Sequence, residues 1–144
     1  MTDPTVAESL ERIILAGVAL TTVAFSSAQP QLELTFPQWR ALVILGAAPD
    51  GVRISEVARL VGVTLPATSR QLRRLERRGL VTVRRDARDR RAALATLTPE
   101  GRAARAAILD YRRARVAEVA TPFEANMSLR RELVRIADRL AAVK

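Results

Sequence analysis

The sequence predicts a mainly α-helical (α+β) fold in which several helices surround one small β-hairpin. Most of the chain carries apolar residues at helical spacing, and Thr, Ser, Asp, Gly and Pro mark the ends of these stretches. From residue 80 the pattern changes to the alternation typical of strands. The 144 residues match the length of one domain, or of a domain with a dimerisation extension.

The first predicted element is a long helix. It can begin after Asp3, or after Thr5 with a capping box between Thr5 and Glu8, and it should end before Pro30. Its apolar stripe comprises Leu10, Ile13, Ile14, Gly17, Val18, Thr21, Ala24 and Phe25. So wide a stripe on a terminal helix needs another surface to pack against.

The apolar run 13–25 in this helix is similar to a targeting segment in composition. The residues before it include Asp3, Glu8 and Glu11 against Arg12, which is the wrong charge for the start of a signal peptide. The run is also too short to span a bilayer. We therefore expect a cytoplasmic protein with no membrane partner.

A second helix is predicted to begin at Thr35, where Thr35 and Gln38 form a capping box. The turn residues at 48–51 should end it. Residues 52–54 are short and extended, and they are a candidate third strand beside the hairpin.

Two helices joined by a tight glycine turn are predicted next. Ser55 is a candidate N-cap for the first helix, which Gly62 ends. Thr64 caps the second, Pro66 lies in its first turn, and Gly79 supplies the left-handed residue at its end. Such a pair is a helix-turn-helix candidate.

The alternating segment after this pair predicts a hairpin. Residues 80–83 and 92–97 form the two strands, and the polar residues 85–90 form the turn between them. The whole unit is therefore predicted to be a winged helix-turn-helix.

Positive charge is concentrated in this winged segment. The formal net charge of the chain is +9. Residues 53–91 contain twelve arginines and four acidic residues, whereas residues 1–36 contain one arginine and four acidic residues. This asymmetry predicts a polyanion partner, double-stranded DNA, at one surface.

Spacing divides the second helix of the pair into two faces. Thr68, Leu72 and Leu75 should pack inward, together with Leu60 and Leu80. The outward residues are candidates for base and phosphate contacts in the major groove, where the start of a recognition helix lies. They are Thr64, Leu65, Pro66, Ser69, Arg70, Arg73 and Arg74. A solvated charged face is the alternative interpretation.

The predicted wing has five arginines within the eight residues 84–91. A slim arginine-rich hairpin suits a minor groove, whose negative potential attracts guanidinium groups. Asp89 should brace a neighbouring arginine by a charge-assisted bond, and Asp86 could cap the turn. The candidate DNA contacts here are Arg84, Arg85, Arg88, Asp89, Arg90 and Arg91. A solvated hairpin turn is again the alternative.

Two helices are predicted after the wing. Thr98 caps the first, which should stop at Thr121 and Pro122, and Ser128 caps the last. The last helix has an apolar stripe of Leu129, Leu133, Ile136, Ala137 and Leu140. Because both ends of the chain supply apolar helices that a small winged unit cannot cover, we expect a two-fold dimer in which they interlock.

Cysteine and histidine are both absent from the chain. This composition excludes disulfides, Cys/His zinc sites, thiol nucleophiles and Ser-His-Asp triads. Neither of the common glycine-rich nucleotide-binding motifs occurs. We expect no enzyme activity, no cofactor and no metal site.

The chain resembles the multiple-antibiotic-resistance regulator (MarR) family. The resemblance rests on the order of elements, on the wing sequence 86–91 (Asp-Ala-Arg-Asp-Arg-Arg), and on 97–101 (Leu-Thr-Pro-Glu-Gly) after it. It implies a homodimeric regulator, usually a repressor, on an inverted-repeat operator, released by a small aromatic or lipophilic ligand. It also implies that Arg91 enters the minor groove, with Arg88 and Arg90 on phosphate or as alternates.

The resemblance suggests three parts: an N-terminal dimerisation helix at 1–34, a DNA-binding domain at 35–98, and C-terminal dimerisation helices at 99–144. A ligand would act best at the junction of these parts. Candidate effector residues are Leu20, Phe36, Trp39, Arg40 and Tyr111, although ordinary core packing is the favoured explanation for each of them. An architectural DNA-binding protein and a winged-helix protein adaptor are the alternative functions.

Overall fold

The computed structural model describes residues 3–87, 89 and 91–143. They form two compact units, one reaching to Tyr111 and one starting at Arg112. The helices are α1 (Val6–Ala28), α2 (Phe36–Gly46), α3 (Ile54–Val61), α4 (Leu65–Arg77), α5 (Pro99–Ala120) and α6 (Met127–Ala141). The strands are β1 (Val52–Arg53), β2 (Val81–Arg85) and β3 (Ala93–Leu97), and short 3-10 turns lie at Pro30–Leu32 and Thr121–Phe123. The mainly α-helical, winged helix-turn-helix prediction is confirmed.

The three strands form one antiparallel sheet in the order β1-β3-β2. Val81 pairs with Leu97 and Arg85 with Ala93, so β2 and β3 make the predicted hairpin. β1 adds to the other side of β3, with Arg53 opposite Leu94. The predicted third strand therefore exists, but it is one residue shorter than expected because Ile54 already belongs to α3.

The core of the first unit is aliphatic, with one aromatic pair. Leu42 and Leu45 of α2, Leu72 and Leu75 of α4, and Ile108 of α5 are all at most 1% exposed. The rings of Phe25 and Trp39 lie 6.2 Å apart between centroids. The helix-turn-helix thus shares one core with α2 and the first half of α5.

Several predicted helix caps are present as expected. Thr5 and Glu8 form a reciprocal capping box at α1, and hydrogen bonds to Thr5 hold the pKa of Glu8 below its ordinary value. Thr35 and Gln38 cap α2 in the same way. The Thr64 hydroxyl accepts from the Ala67 N–H.

Two predicted caps were wrong. At α3 the N-cap is Arg53 and not Ser55, because the extended backbone of β1 leads directly into the first turn. At α6 the N-cap is Asn126, two residues before the predicted cap Ser128. The Asn126 side chain accepts from the Leu129 N–H at 2.9 Å. Asparagine is as good an N-cap as serine, so the earlier cap prevails.

Most of the apolar stripe on α1 is uncovered. Only Thr21, Ala24 and Phe25 of this helix are buried, whereas Ile13, Ile14 and Val18 are exposed. By length and composition alone, Val6–Ala28 could also cross a membrane, a test that the core helices of soluble proteins pass too. The run 13–25 that was considered from the sequence is only part of this 23-residue helix.

The second unit contains the end of α5, the turn at Thr121–Phe123 and α6. No residue of α6 is buried within the described chain. A shallow cleft of about 260 Å³ in this unit is lined by Phe123, Leu129, Leu133 and Val134. The unit thus presents an uncovered apolar surface.

Candidate nucleic-acid interface

Helix α4 is held in place by one buried face. Thr68, Leu72 and Leu75 are buried, as their spacing predicted. Leu80 is buried as well, but the expectation that Leu60 packs with them was wrong, because Leu60 is 38% exposed. In α3 the inward residues are Val57, Ala58 and Val61, which places Leu60 on the outer side.

The opposite face of α4 carries four exposed arginines, Arg70, Arg73, Arg74 and Arg77. They line one shallow surface together with Glu76. Within the described part of the chain, the guanidinium groups of Arg70 and Arg73 form no hydrogen bond or ion pair. These charges are therefore available to an anionic partner.

Other arginines near this face are already engaged. Arg59 on α3 donates to Glu56, and this pairing lowers the pKa of Glu56 and raises that of Arg59. Arg78 donates to the Leu32 carbonyl, and Arg84 donates to the Asp50 carbonyl at 3.3 Å. The structure thus separates structural arginines from uncommitted ones, which sequence alone could not do.

The end of α4 is tied to α5 by the Thr98 side chain. The Thr98 hydroxyl donates to the Gly79 carbonyl at 2.6 Å and accepts from the Gly101 N–H at 3.0 Å. Gly101 lies so close to Leu80 that an added Cβ would be 2.0 Å from the Leu80 carbonyl oxygen. The Leu-Thr-x-x-Gly sequence therefore fixes where the recognition helix ends.

The wing is fixed to the recognition helix by Glu76. Its carboxylate accepts from the Val83 N–H at 2.8 Å, on the outer edge of β2. This contact satisfies an edge amide that would otherwise face solvent and sets the wing against the last turn of α4. The sequence did not predict this role of Glu76, because an acidic residue seven positions before a strand residue is too weak a signal.

The predicted wing contacts are distributed as follows. Arg84 and Arg85 are exposed on β2, which extends further towards the tip than predicted. Arg91 is exposed just before β3. Arg88 and Arg90 lie outside the described residues.

The two wing carboxylates both contact an arginine that sequence analysis did not select. The buried carboxylate of Asp86 accepts from Nε and Nη2 of Arg53, at 3.2 and 3.0 Å. Asp89 lies 3.9 Å from Nη1 of the same arginine and accepts from the Arg91 N–H at 3.1 Å. Among the described residues, the arginine side chain that pairs with Asp89 is thus Arg53, 36 residues earlier in the chain, and the pair is an ion pair without a hydrogen bond.

A cleft of about 390 Å³ lies between the recognition helix and the wing. Ser55 lines it from α3, Leu65 and Ser69 from α4, and Arg91 from the wing. Leu65 and Pro66 are exposed, and Ser69 is partly so. Four of the predicted contact residues thus line one surface that combines apolar, hydroxyl and charged groups, namely Leu65, Ser69, Asp89 and Arg91. The predicted arginines of α4 line the separate surface described above.

The candidate effector residues differ in burial and in the contacts they make. Trp39 is 3% exposed and packs on Phe25, so it belongs to the core. Arg40 donates to the carbonyls of Leu60 and Val61 at 2.7 and 3.2 Å, at the C-terminal end of α3. Leu20 and Tyr111 are partly buried, and Phe36 is exposed.

Comparisons with known proteins agree with this architecture. Residues 32–92 match the family model of the MarR family. No match was found among curated protein sequences.

Solved structures extend the likeness to the whole chain. RV1404 from Mycobacterium tuberculosis is 26% identical, with a TM-score of 0.78 and 99% of both chains covered. The transcriptional repressor CouR, bound to a 23-mer DNA duplex, is 26% identical, with a TM-score of 0.69 over 95% of this chain and 92% of that one. MarR itself shares the fold at 22% identity and a TM-score of 0.72, over 93% and 98% of the two chains. Across residues 32–92 this chain is thus similar to the MarR family, and along its whole length it shares the fold of these structures, one of which is a transcriptional repressor bound to DNA.

Proposed function

We propose that this chain is a DNA-binding transcriptional regulator of the MarR type, a cytoplasmic homodimeric repressor that binds an inverted-repeat operator and is released by a small aromatic or lipophilic ligand. The observation that carries the proposal is the uncommitted arginine face of α4 beside an arginine-rich wing. A DNA-bound repressor among the similar structures supports the same function. We infer no enzyme activity, because the chain has no cysteine or histidine and neither of the common nucleotide-binding motifs.

Arginines on α4 and on the wing have different roles in this proposal. Arg70 and Arg73 lie one turn apart on the exposed face of α4 and reach base edges in the major groove. Arg74 and Arg85 contact phosphates, and Arg84 does so with the N–H groups that its bond to the Asp50 carbonyl leaves available. Arg91 enters the adjacent minor groove. Thr64, Leu65, Pro66 and Ser69 complete the surface that faces the major groove.

The dimer is held by the uncovered apolar helices. The exposed side chains of Ile13, Ile14 and Val18 on α1, and of Leu133 and Leu140 on α6, are unusual for a solvated surface. A second copy of the chain would remove them from water. A two-fold dimer would also present two recognition helices to the two half-sites of an inverted repeat.

Ligand release can act through Arg40. Its guanidinium group currently satisfies two carbonyls at the end of α3, which packs against α4. A carboxylate that drew Arg40 away would leave that helix end uncapped and loosen the helix-turn-helix. A tenfold loss of operator affinity needs only about 1.4 kcal/mol of preference for the non-binding state, which one charge-assisted bond can supply.

The experiment that tests the proposal begins with selection of bound sequences from a random duplex pool. We expect enrichment of an inverted repeat whose half-sites lie about one helical turn apart, bound at least roughly a thousandfold more tightly than a scrambled duplex. Equal affinity for both duplexes would contradict sequence-specific repression and favour an architectural role.

Release is then measured with the selected duplex and a panel of aromatic acids. Arg40→Lys should respond to the same acids more weakly, while peroxide should have no effect because the chain has no cysteine. If none of the small molecules weakened binding, the ligand part of the proposal would be wrong.

A further inference from the structure

Arg53 links the start of the helix-turn-helix to the wing loop, where its partner Asp86 lies 33 residues later in the sequence. It is the last residue of β1 and the N-cap of α3, and its guanidinium group reaches the loop between β2 and β3. Two of its nitrogens donate to one oxygen of Asp86, and the third nitrogen lies 3.9 Å from Asp89. The start of the helix-turn-helix and the wing are therefore connected through one side chain.

The strength of this link follows from burial. Asp86 is only 8% exposed, so its carboxylate has little access to water and depends on hydrogen bonds within the protein. Its N–H also donates to the Ala92 carbonyl at 2.9 Å, and the Ala92 N–H donates to the Asp89 carbonyl at the same distance. The base of the wing loop is thus a closed hydrogen-bonded frame, with Arg53 on one side of it.

The frame determines where Arg91 lies. Asp89 holds the Arg91 backbone N–H, and Arg53, Asp89 and Arg91 line the same cleft between wing and recognition helix. Moving the frame would move the start of the Arg91 side chain relative to α4. An arginine that only neutralised phosphate would have no reason to be committed to two carboxylates.

We propose that Arg53 is a positioning residue that sets the spacing between wing and recognition helix, and hence how Arg91 meets the minor groove beside each half-site. The inference rests on the proposed function for the role of Arg91 in the groove. It does not require Arg53 to touch DNA. Its effect is on the preference for flanking sequence, which the wing reads.

The first arm of the test measures the wing without DNA. Because the chain has no cysteine, Ala87→Cys can carry a single spin label at an exposed position of the wing loop. The label should be more mobile in Arg53→Ala and Asp86→Asn than in the wild-type background, and Arg53→Lys should fall between them. Equal mobility in all backgrounds would overturn the positioning role, whatever the protein does with DNA.

The second arm measures affinity for the selected operator with A·T-rich or G·C-rich flanks. Arg53→Ala should weaken binding to the A·T-flanked duplex by about tenfold and to the G·C-flanked duplex much less. Arg59→Ala is the matched control, since Arg59 is also next to the helix-turn-helix core but is paired with Glu56. It should leave the ratio between the two duplexes unchanged.

Asp86→Asn separates positioning from simple electrostatics. Removing a negative charge near DNA should strengthen binding if charge alone matters. Positioning predicts the opposite, a loss on the A·T-flanked duplex, with no further loss when Arg53→Ala is added. Tighter binding by Asp86→Asn would overturn the proposal.

The Arg91→Ala background tests whether Arg53 acts through Arg91 or contacts phosphate itself. In that background Arg53→Ala should have no further effect on flank preference, because both changes remove the same contact. A uniform loss on both duplexes, with the salt slope reduced by about two per dimer, would instead identify Arg53 as a phosphate contact. If the wild type showed no operator preference, the proposed function would fail while the spin-label arm still decided the role of Arg53.

Discussion

Helices α4 and α6 share an amphipathic pattern but differ in how much of their apolar face is buried. Each is amphipathic, with apolar or small residues at i, i+4 and i+7 and several arginines. In α4 the residues Thr68, Leu72 and Leu75 are buried within the chain, whereas α6 has no buried residue among those described. The same pattern therefore leaves a charged face uncommitted in one helix and an apolar face uncommitted in the other.

This difference indicates what each helix can do. Because α4 is fixed by its apolar face, its arginines are held in a defined array that can match the spacing of base pairs and phosphates. Because α6 lacks a cover, its stripe is the part that needs a partner, and its arginines need not contact anything specific. Amphipathic spacing alone does not decide between these cases; the burial of the apolar face does.

The largest expected effect is on the buried face of α4. Leu72→Ala should lower the free energy of unfolding by about 2–5 kcal/mol, because Leu72 is fully buried and the chain around it cannot collapse completely. Urea denaturation measures the change. A loss below about 1 kcal/mol would mean that α4 is held by something other than this face.

The matching change on α6 should act on assembly. Leu133 is 48% exposed in the single chain, so full coverage in a dimer would bury about half a leucine side chain from each copy. Leu133→Ala should then weaken the dimer by about 2 kcal/mol, or roughly thirtyfold in the dissociation constant. Sedimentation across protein concentrations measures this, and an unchanged constant would exclude Leu133 from the interface.

The junction that ends α4 provides the next test. Gly101→Ala would place a methyl group against the Leu80 carbonyl oxygen and should cost roughly 1–3 kcal/mol in unfolding free energy. Gly17→Ala is the control, since an added Cβ there meets nothing within 4 Å and alanine favours a helix. Equal thermal midpoints for the two variants would contradict the close approach of α5 to Leu80.

The smallest expected effect is on the backbone strain at Glu33, which lies in neither helix. Glu33 has a φ of 42°, a left-handed conformation that costs a glutamate free energy but that asparagine tolerates. Glu33→Asn should stabilise the fold by about 0.5 kcal/mol and leave operator affinity unchanged. Destabilisation of the variant would show that the Glu33 side chain makes a contribution that outweighs its backbone strain.

Local signals in the sequence were sufficient for most of the fold. Caps such as Thr64 and Thr98 act within three or four residues, so their sequences determine where α4 and α5 begin. The predictions failed where two local solutions compete. Asn126 precedes Ser128 and caps first, and β1 extends to Arg53, which moves the start of α3 ahead of Ser55.

The site was less accessible to prediction because its key contacts join distant residues. The arginine face of α4 follows from helical spacing, whereas the arginine beside Asp89 was expected to be a neighbour in sequence. That the arginine is Arg53 depends on β1 pairing with β3, which brings residue 53 beside Leu94 and the wing loop. The spacing of residues along the chain does not predict the pairing of β1 with β3.

We propose that the exposed face of α4 reads the DNA sequence, while its buried face only holds the helix in place. The most direct measurement is the affinity of Arg73→Ala for the selected operator and for a scrambled duplex, beside Arg131→Ala on α6 as a control with the same loss of charge. We predict that Arg73→Ala loses about 1–3 kcal/mol on the operator and little on the scrambled duplex, so that its preference falls. Arg131→Ala should keep the wild-type preference. Equal losses on both duplexes for Arg73→Ala, or the same loss for Arg131→Ala, would contradict the account.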